Sequence, residues 1–169
     1  MSSIVFVVDI DGTVADTMGR IRDLEQRTGS ALMTGWGDKE TNEFLEPSIM
    51  MRDPIINGAN RLLDIISSFG ATLAFFTGRS ERSREQTKQW LTSKLSIPTE
   101  TPLFMRPDDD YRPTHVCKTD MIERQLLPAY PDSKFIFLED DAESLKSFSK
   151  YGLALKAPDC WNVIVGPIC

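Results

Sequence analysis

The sequence predicts one α/β domain over residues 1–169: a Rossmann-like parallel sheet flanked by helices on both faces. Three observations lead there. Short, unbroken apolar runs alternate with longer segments whose apolar residues recur at helical spacing. No internal repeat or low-complexity stretch interrupts that alternation. The residues of unusual chemistry stand directly after the apolar runs, where parallel α/β sheets bind their ligands.

The elements follow in order. Ile4-Val5-Phe6-Val7-Val8 is a β-branched run suited to a strand buried on both faces. Residues 57–69 set Ala59, Leu62, Leu63 and Ile66 on one helical stripe with Ile56 just ahead, and Gly70 provides a C-terminal stop. Residues 71–76 form the next strand, ending at Thr77-Gly78-Arg79, and 81–95 a helix with a polar face. A short strand at 103–105, a helix at 115–127 and a strand at 134–138 come next. A helix at 142–151, closed by Gly152, and a strand at 153–156 complete the set. Crossovers between parallel strands should be right-handed.

Hydrophobic residues make up 41% and charged residues 26% of the chain, the balance of a soluble globular protein. No apolar run approaches the roughly 20 residues a membrane helix needs. The run at 4–8 has no basic flank or small-residue cleavage site, so it reads as a strand, not a leader. Cys117, Cys160 and Cys169 give neither a disulfide framework nor a zinc pattern, which makes a reducing cytoplasmic compartment the expectation. The net charge of −6 argues against tight polynucleotide binding by the chain as a whole.

Singly, the polar residues after the strands have ordinary explanations. Asp11-Gly12 is a common turn pair. Acidic residues before Ala142 can cap a helix. Thr77 can cap the next helix, Lys118 can be a solvated lysine, and Arg20 and Arg79 can form surface ion pairs of small worth. Together they say more. Asp9 and Asp11 after the first strand, Thr77 after the second and Glu139-Asp140-Asp141 after a later one converge on one edge of the sheet. So many carboxylates call for a hard cation, and oxygen ligands suit Mg²⁺. A cation, a lysine and a hydroxyl around one free carboxylate are what aspartyl-phosphate chemistry requires.

The order Asp9-Ile10-Asp11-Gly12-Thr13, Thr77-Gly78-Arg79, a lone Lys118 and Asp140-Asp141 resembles the haloacid dehalogenase (HAD) phosphatase superfamily over nearly the whole chain. Within it, several features look like the phosphatase domain of polynucleotide kinase-phosphatases. They are Val14-Ala15 with Arg20 downstream, Met105-Arg106-Pro107 followed by Tyr111-Arg112-Pro113, and the runs into Lys118 and from Leu138 to Asp141. The resemblance implies a HAD-type sheet with a small or minimal helical cap, at about residues 17–55. It implies that Asp9 attacks phosphorus, and that Asp11 protonates the leaving alcohol and then deprotonates water. Thr77, Lys118 and backbone amides near Asp11 would hold the phosphoryl oxygens, with Thr13, Gly78, Arg20 and Arg79 beside them. Mg²⁺ would be held by Asp9, the Asp11 carbonyl and Asp140 or Asp141. The charge of Asp9 should raise the Asp11 pKa. The related branch typically has Asp four residues before the lysine, where this chain has Thr114.

A small cap suits a phosphate at the end of a large molecule. The expected substrate is therefore a phosphorylated nucleic-acid end, most of all a 3′-phosphate, with a nucleoside monophosphate as the alternative. Arg20, Arg22, Arg79, Arg82, Arg84, Arg106 and Arg112 are candidates for backbone phosphate contacts. The chain carries no Gly-rich Lys-Ser/Thr phosphate loop of the kinase kind. A receiver-type phosphoacceptor would place its acidic motifs in a different order, and a catalytically silent module would have no need of the whole residue set. His115, the single histidine, reads as structural, as do Trp90 and Trp161. Trp36 lies in a segment able to approach substrate.

Overall fold

The computed structural model describes residues 3–29 and 43–159. Trp36, Cys160, Trp161, Cys169 and part of the expected cap lie outside the described residues. The elements run β1 Ile4–Val8, α1 Met18–Thr28, α2 Pro47–Met50, α3 Ala59–Ser68 and β2 Thr72–Ser80. A 3₁₀ turn at Glu81–Ser83 then leads into α4 Arg84–Leu95, followed by β3 Leu103–Arg106 and α5 Thr114–Met121. After a π-helical turn at Ile122–Leu126 and a last turn at Leu127–Ala129 come β4 Lys134–Glu139, α6 Ala142–Phe148 and β5 Gly152–Lys156.

The five strands are all parallel, in the order β3-β2-β1-β4-β5. The two-residue period of a strand sorts the core into two layers. Phe6 and Val8, Leu73 and Phe75, Ile136 and Leu138 face one side, where α3 brings Leu62, Leu63 and Ile66 and α4 brings Trp90 and Leu91. Val5 and Val7, Ala74 and Phe76, Phe135 and Phe137 face the other, against Cys117, Met121, Ile122, Leu126 and Phe148. The predicted fold class is the one observed. No helix among the described residues is long and apolar enough to cross a membrane.

Three boundaries differ from the sequence reading, each for a local reason. β2 does not stop at Phe76 but runs through Thr77-Gly78-Arg79 to Ser80, with a register shift against β3 between Thr77 and Ser80. Gly78 and Arg79 bulge there, and Arg106 Nε donates to the Gly78 carbonyl at 3.1 Å, holding the bulge to β3. The helix expected at 115–127 gives way to a π-helical turn because Pro128 has no N–H to return to the preceding turn. The helix expected at 142–151 ends at Phe148, and Gly152 opens β5 instead of closing a helix. A Cβ at Gly152 would lie 2.3 Å from the Phe135 carbonyl oxygen, so only glycine lets β5 approach β4 there.

Candidate active site

The backbone of Asp9 donates to the Leu138 carbonyl at 2.9 Å, carrying the β1–β4 pairing one residue beyond Val8. That step sets Asp9 beside Glu139 at the carboxyl edge of the sheet. The chain then turns tightly: Val14 N and Ala15 N both donate to the Ile10 carbonyl, at 2.9 and 2.8 Å, and Gly12 takes φ = 81°. A side chain at Gly12 would fail twice, since φ is left-handed and a Cβ would lie 2.1 Å from Asp140 Oδ2. The missing side chain is where the Asp140 carboxylate sits.

Lys118 reaches in from α5. Its Nζ donates to Asp9 Oδ1 at 2.8 Å and to Glu139 Oε2 at 2.6 Å, and all three side chains are at most 5% exposed. Asp9, Glu139 and Asp140 offer carboxylate oxygens within 4.8 Å of one another. Three carboxylates face one ammonium, so the charge is not balanced. Burial, then the charge of Glu139, pushes Asp9 up to about 7 against the pull of Lys118. Burial and the Asp9 charge push Asp140 up to about 6. Burial also raises Glu139. Desolvation would lower Lys118, but Asp9 and Glu139 carry it above its ordinary value. This donor set fits a hard, oxygen-preferring divalent cation.

Asp141 caps the helix that follows β4. Its Oδ2 accepts from Ser144 N at 2.7 Å, capping α6, and Asp9, Glu139 and Asp140 make up the acidic cluster without it. Asp141 thus caps a helix, and Asp140 stands in the acidic cluster. Thr77 is fully buried and its Oγ1 accepts from Arg79 N at 3.1 Å. Thr13 is also fully buried, and its Oγ1 has no hydrogen-bond partner among the described residues.

Asp11 is held by two arginines. Arg79 donates through Nε to Oδ2 and through Nη2 to Oδ1, both at 2.8 Å, and Arg20 Nη2 donates to Oδ1 at 2.8 Å. Burial alone would raise the Asp11 pKa, but Arg79 and then Arg20 hold it below the ordinary value. The expectation of a raised pKa is therefore corrected. It considered the neighbouring carboxylate and missed that both arginines point at Asp11. Nor are these surface pairs: Arg20 and Arg79 side chains are 5% and 1% exposed.

Asp53 completes the group and was not singled out in the sequence. Its side chain is 3% exposed; Arg20 Nε donates to its Oδ1 at 2.9 Å, and Arg20 Nη2 lies 2.8 Å from Oδ2. Arg79 Nη2 is 3.7 Å from the same Oδ2. The fully buried Trp90 donates from Nε1 to the Asp53 carbonyl at 3.0 Å, and its ring lies 5.8 Å beneath the Arg79 guanidinium. Phe44 serves Arg20 likewise, its carbonyl accepting from Nη1 at 2.5 Å and its ring 4.1 Å from the guanidinium. The sequence signal for Asp53 was indirect: two arginines near one acidic site needed more than one carboxylate.

The loop after β3 borders the site. Arg106 donates to the carbonyls of Gly78, Asp110 and Arg112 and to Thr114 Oγ1 (3.1, 3.0, 2.8 and 2.9 Å). The hydroxyl at Thr114 thus orients an arginine. Asp110 accepts from Arg112 N and Nε at 3.0 Å each, while Asp108 accepts from Arg82 N at 2.8 Å and from the Ser80 hydroxyl. Tyr111 stands 91% exposed on this braced loop. Of the seven arginines suggested for phosphate contacts, five are engaged elsewhere. Arg84 pairs with Glu81, and Arg112 with Asp110 and Asp120. Arg106 holds the loop, and Arg20 and Arg79 hold the acidic residues. Arg22 and Arg82 have exposed side chains. His115 lies on the first turn of α5, where its carbonyl accepts from Thr119.

No family model matches this chain, and no curated protein does. Solved structures do. A chain of the Pnkp1/Rnl/Hen1 complex matches with a TM-score of 0.66 and 17% identity, over 92% of this chain and 46% of that one. This chain therefore spans less than half the length of that relative. A haloacid dehalogenase-like hydrolase, SP0104 from Streptococcus pneumoniae, matches at TM-score 0.61 and 16% identity, over 92% of this chain and 84% of that one. The class C acid phosphatase from Bacillus anthracis matches at 0.62 and 12%, over 93% and 67%. The fold is that of the HAD-like hydrolases.

Proposed function

We propose that this chain is a Mg²⁺-dependent phosphomonoester hydrolase that works through a phosphorylated Asp9 and removes a 3′-phosphate from nucleic-acid ends. The observation that carries the chemistry is the position of Asp9: buried at the end of the central strand, with Lys118 on one oxygen and the Glu139–Asp140 carboxylates alongside. Likeness of fold to hydrolases and phosphatases supports the reaction class.

An oxygen of Asp9 attacks phosphorus, and the bond from phosphorus to the leaving oxygen breaks. Asp11 gives its proton to that oxygen. In the second half, Asp11 takes a proton from water, the water oxygen attacks phosphorus, and the Asp9–phosphorus bond breaks to free phosphate. Thr77, Lys118 and the amides of the Asp11–Gly12 turn receive the phosphoryl oxygens. Asp9 and Asp140, with the Asp11 carbonyl, would hold Mg²⁺, which would supply positive charge to offset that of the carboxylates and the phosphate. For Asp11 to carry a proton, Arg20 and Arg79 must turn some of their donors from it toward the incoming phosphate.

Two observations bear on the substrate. The exposed ring of Tyr111, three residues from the Thr114 methyl that would lie 3.3 Å from a Cβ at Gly78, offers a face on which a nucleobase can stack. The likeness to a chain of the Pnkp1/Rnl/Hen1 complex points the same way. Against a long polymer contact stands the engagement of five arginines in internal pairs, which favours the second reading, a nucleoside monophosphate phosphatase.

The test is phosphate release with Mg²⁺ by wild type and Asp9→Asn. Substrates are a 3′-phosphorylated oligonucleotide, its 5′-phosphorylated counterpart and a panel of nucleoside monophosphates. Release from the 3′-phosphorylated oligonucleotide alone, lost in Asp9→Asn, is the expected result. Preference for a mononucleotide would replace the substrate and keep the mechanism, whereas full activity in Asp9→Asn would remove the mechanism.

A further inference from the structure

We infer that Asp53 is a positioning residue, which holds Arg20 so that only part of its guanidinium is given to Asp11. The inference rests on the phosphatase reading above. Arg20 has its Nε and Nη2 edge on Asp53, at 2.9 Å to Oδ1 and 2.8 Å to Oδ2. The same Nη2 is shared with Asp11 Oδ1 at 2.8 Å, and Nη1 is taken by the Phe44 carbonyl. One hydrogen bond from Nε and the close Nη2 contact tie one edge of the guanidinium to Asp53. With Asp53 in place, Arg20 therefore meets Asp11 through a single nitrogen, Nη2.

Charge points to the same conclusion. Arg20, Arg79, Asp11 and Asp53 form a buried group of two cations and two anions. Without the Asp53 charge, two guanidiniums would face one carboxylate, and Arg20 would swing its Nε–Nη2 edge onto Asp11. Asp11 would then be held on both oxygens by both arginines, in an orientation set by them and not by the leaving group. The backbone fixes the arrangement from outside, because Trp90 Nε1 anchors the Asp53 carbonyl at 3.0 Å. Among the described residues Asp53 makes no hydrogen bond or ion pair with Asp9, Glu139 or Asp140, so its effect on Asp11 passes through Arg20 at 2.8 Å and, more weakly, Arg79 at 3.7 Å.

The chemistry supplies a readout that a structural role would not move. An alkyl phosphate needs its leaving oxygen protonated, whereas p-nitrophenolate leaves without a proton. The experiment measures wild type, Asp53→Asn, Arg20→Gln and the double variant with Mg²⁺. Two readouts are taken: steady-state turnover of a nucleotide or 3′-phosphorylated oligonucleotide, and the single-turnover burst of nitrophenolate from p-nitrophenyl phosphate. Asp53→Asn should lower kcat on the alkyl phosphate by about 10-fold or more. Its KM and its nitrophenolate burst should stay within about 2-fold of wild type.

Equal losses on both substrates, or no loss on either, would overturn the inference. The double variant guards against a poorly folded single one, since it removes the buried cation together with its partner. It should turn over the alkyl phosphate no more slowly than Arg20→Gln alone, and additive losses would mean that Asp53 does not act through Arg20. An inactive wild type on both substrates would overturn the phosphatase reading and this inference with it. An active wild type with additive losses would overturn the inference alone.

Discussion

Lys118 stabilises a charge arrangement that is unfavourable without it. Its ammonium is the cation bonded to both Asp9 and Glu139, each almost wholly buried. Lys118→Met keeps the length of the side chain and removes the charge, leaving two carboxylates without a cationic partner. The expected loss is about 3 kcal/mol at neutral pH, by urea unfolding. At lower pH the carboxylates can take up protons, so the loss should shrink; a pH-independent loss would mean that the ion pair is not its source. The cation assignment has its own pH signature. Asp9 and Asp140 sit at about 7 and about 6, above their unfolded values, so the folded state binds protons more tightly than the unfolded chain. Their contribution to stability is complete below the unfolded carboxylate range and is lost as pH rises through 6 to 7. A divalent cation needs them deprotonated. The rise in melting temperature caused by Mg²⁺ should therefore be small near about pH 5.5 and grow toward about pH 8. A rise of the same size at both would remove the cluster as the cation site. The same residues show what sequence could and could not convey. Asp9, Asp11 and Thr77 stood out because motif order put them at strand ends, and Lys118 because it follows them in that order on the next predicted helix. Asp53 was not, because an isolated Asp before a proline carries no local signal, and its role exists only once Arg20 and Arg79 are folded against it.

Elements were legible where a strand or helix has one dominant period. β1, β2 and β4 are apolar on both faces, and α3 shows an unbroken stripe, so sequence located them within a few residues. The error at β2 fell where a tertiary bond overrode a local preference. Thr77-Gly78-Arg79 looks like a turn in isolation, but Arg106 ties the Gly78 carbonyl to β3 and extends the strand. Arg106 also anchors the carbonyls of Asp110 and Arg112, which makes it the brace of the whole β3–α5 loop. Arg106→Ala should cost about 2 kcal/mol by denaturation and speed amide exchange throughout residues 108–112. Exchange unchanged in that loop would show that Asp110, Arg112 and the two prolines suffice to hold it.

At the scale of the whole molecule, the site draws on every layer of the fold. Asp9 and Asp11 follow β1, Thr77 and Arg79 lie on β2, Glu139 and Asp140 sit at the end of β4, Lys118 comes from α5 and Arg20 from α1. Asp53 and Trp90 tie the segment before α3 to α4. The net charge of −6 is partly explained by this collection of carboxylates. Of the seven arginines near the site, Arg20 and Arg79 lie inside the molecule and Arg84, Arg106 and Arg112 are held by internal partners, which leaves Arg22 and Arg82 to face solvent.

The central place of β1 bears on how this protein would lose activity. The strand that presents Asp9 is covered along both edges by β2 and β4, and on both faces by the two core layers. Such a strand exchanges its amide protons only when the entire domain opens. Asp9 then has no local route out of register, and a folded but inactive form created by fraying near the nucleophile is not available. Titration with urea should abolish turnover and helical circular dichroism at the same midpoint, with the amides of Val5 to Val8 the slowest to exchange. Activity lost well before the helices would place a weak point at the edge of the site, in the loops and not in the sheet.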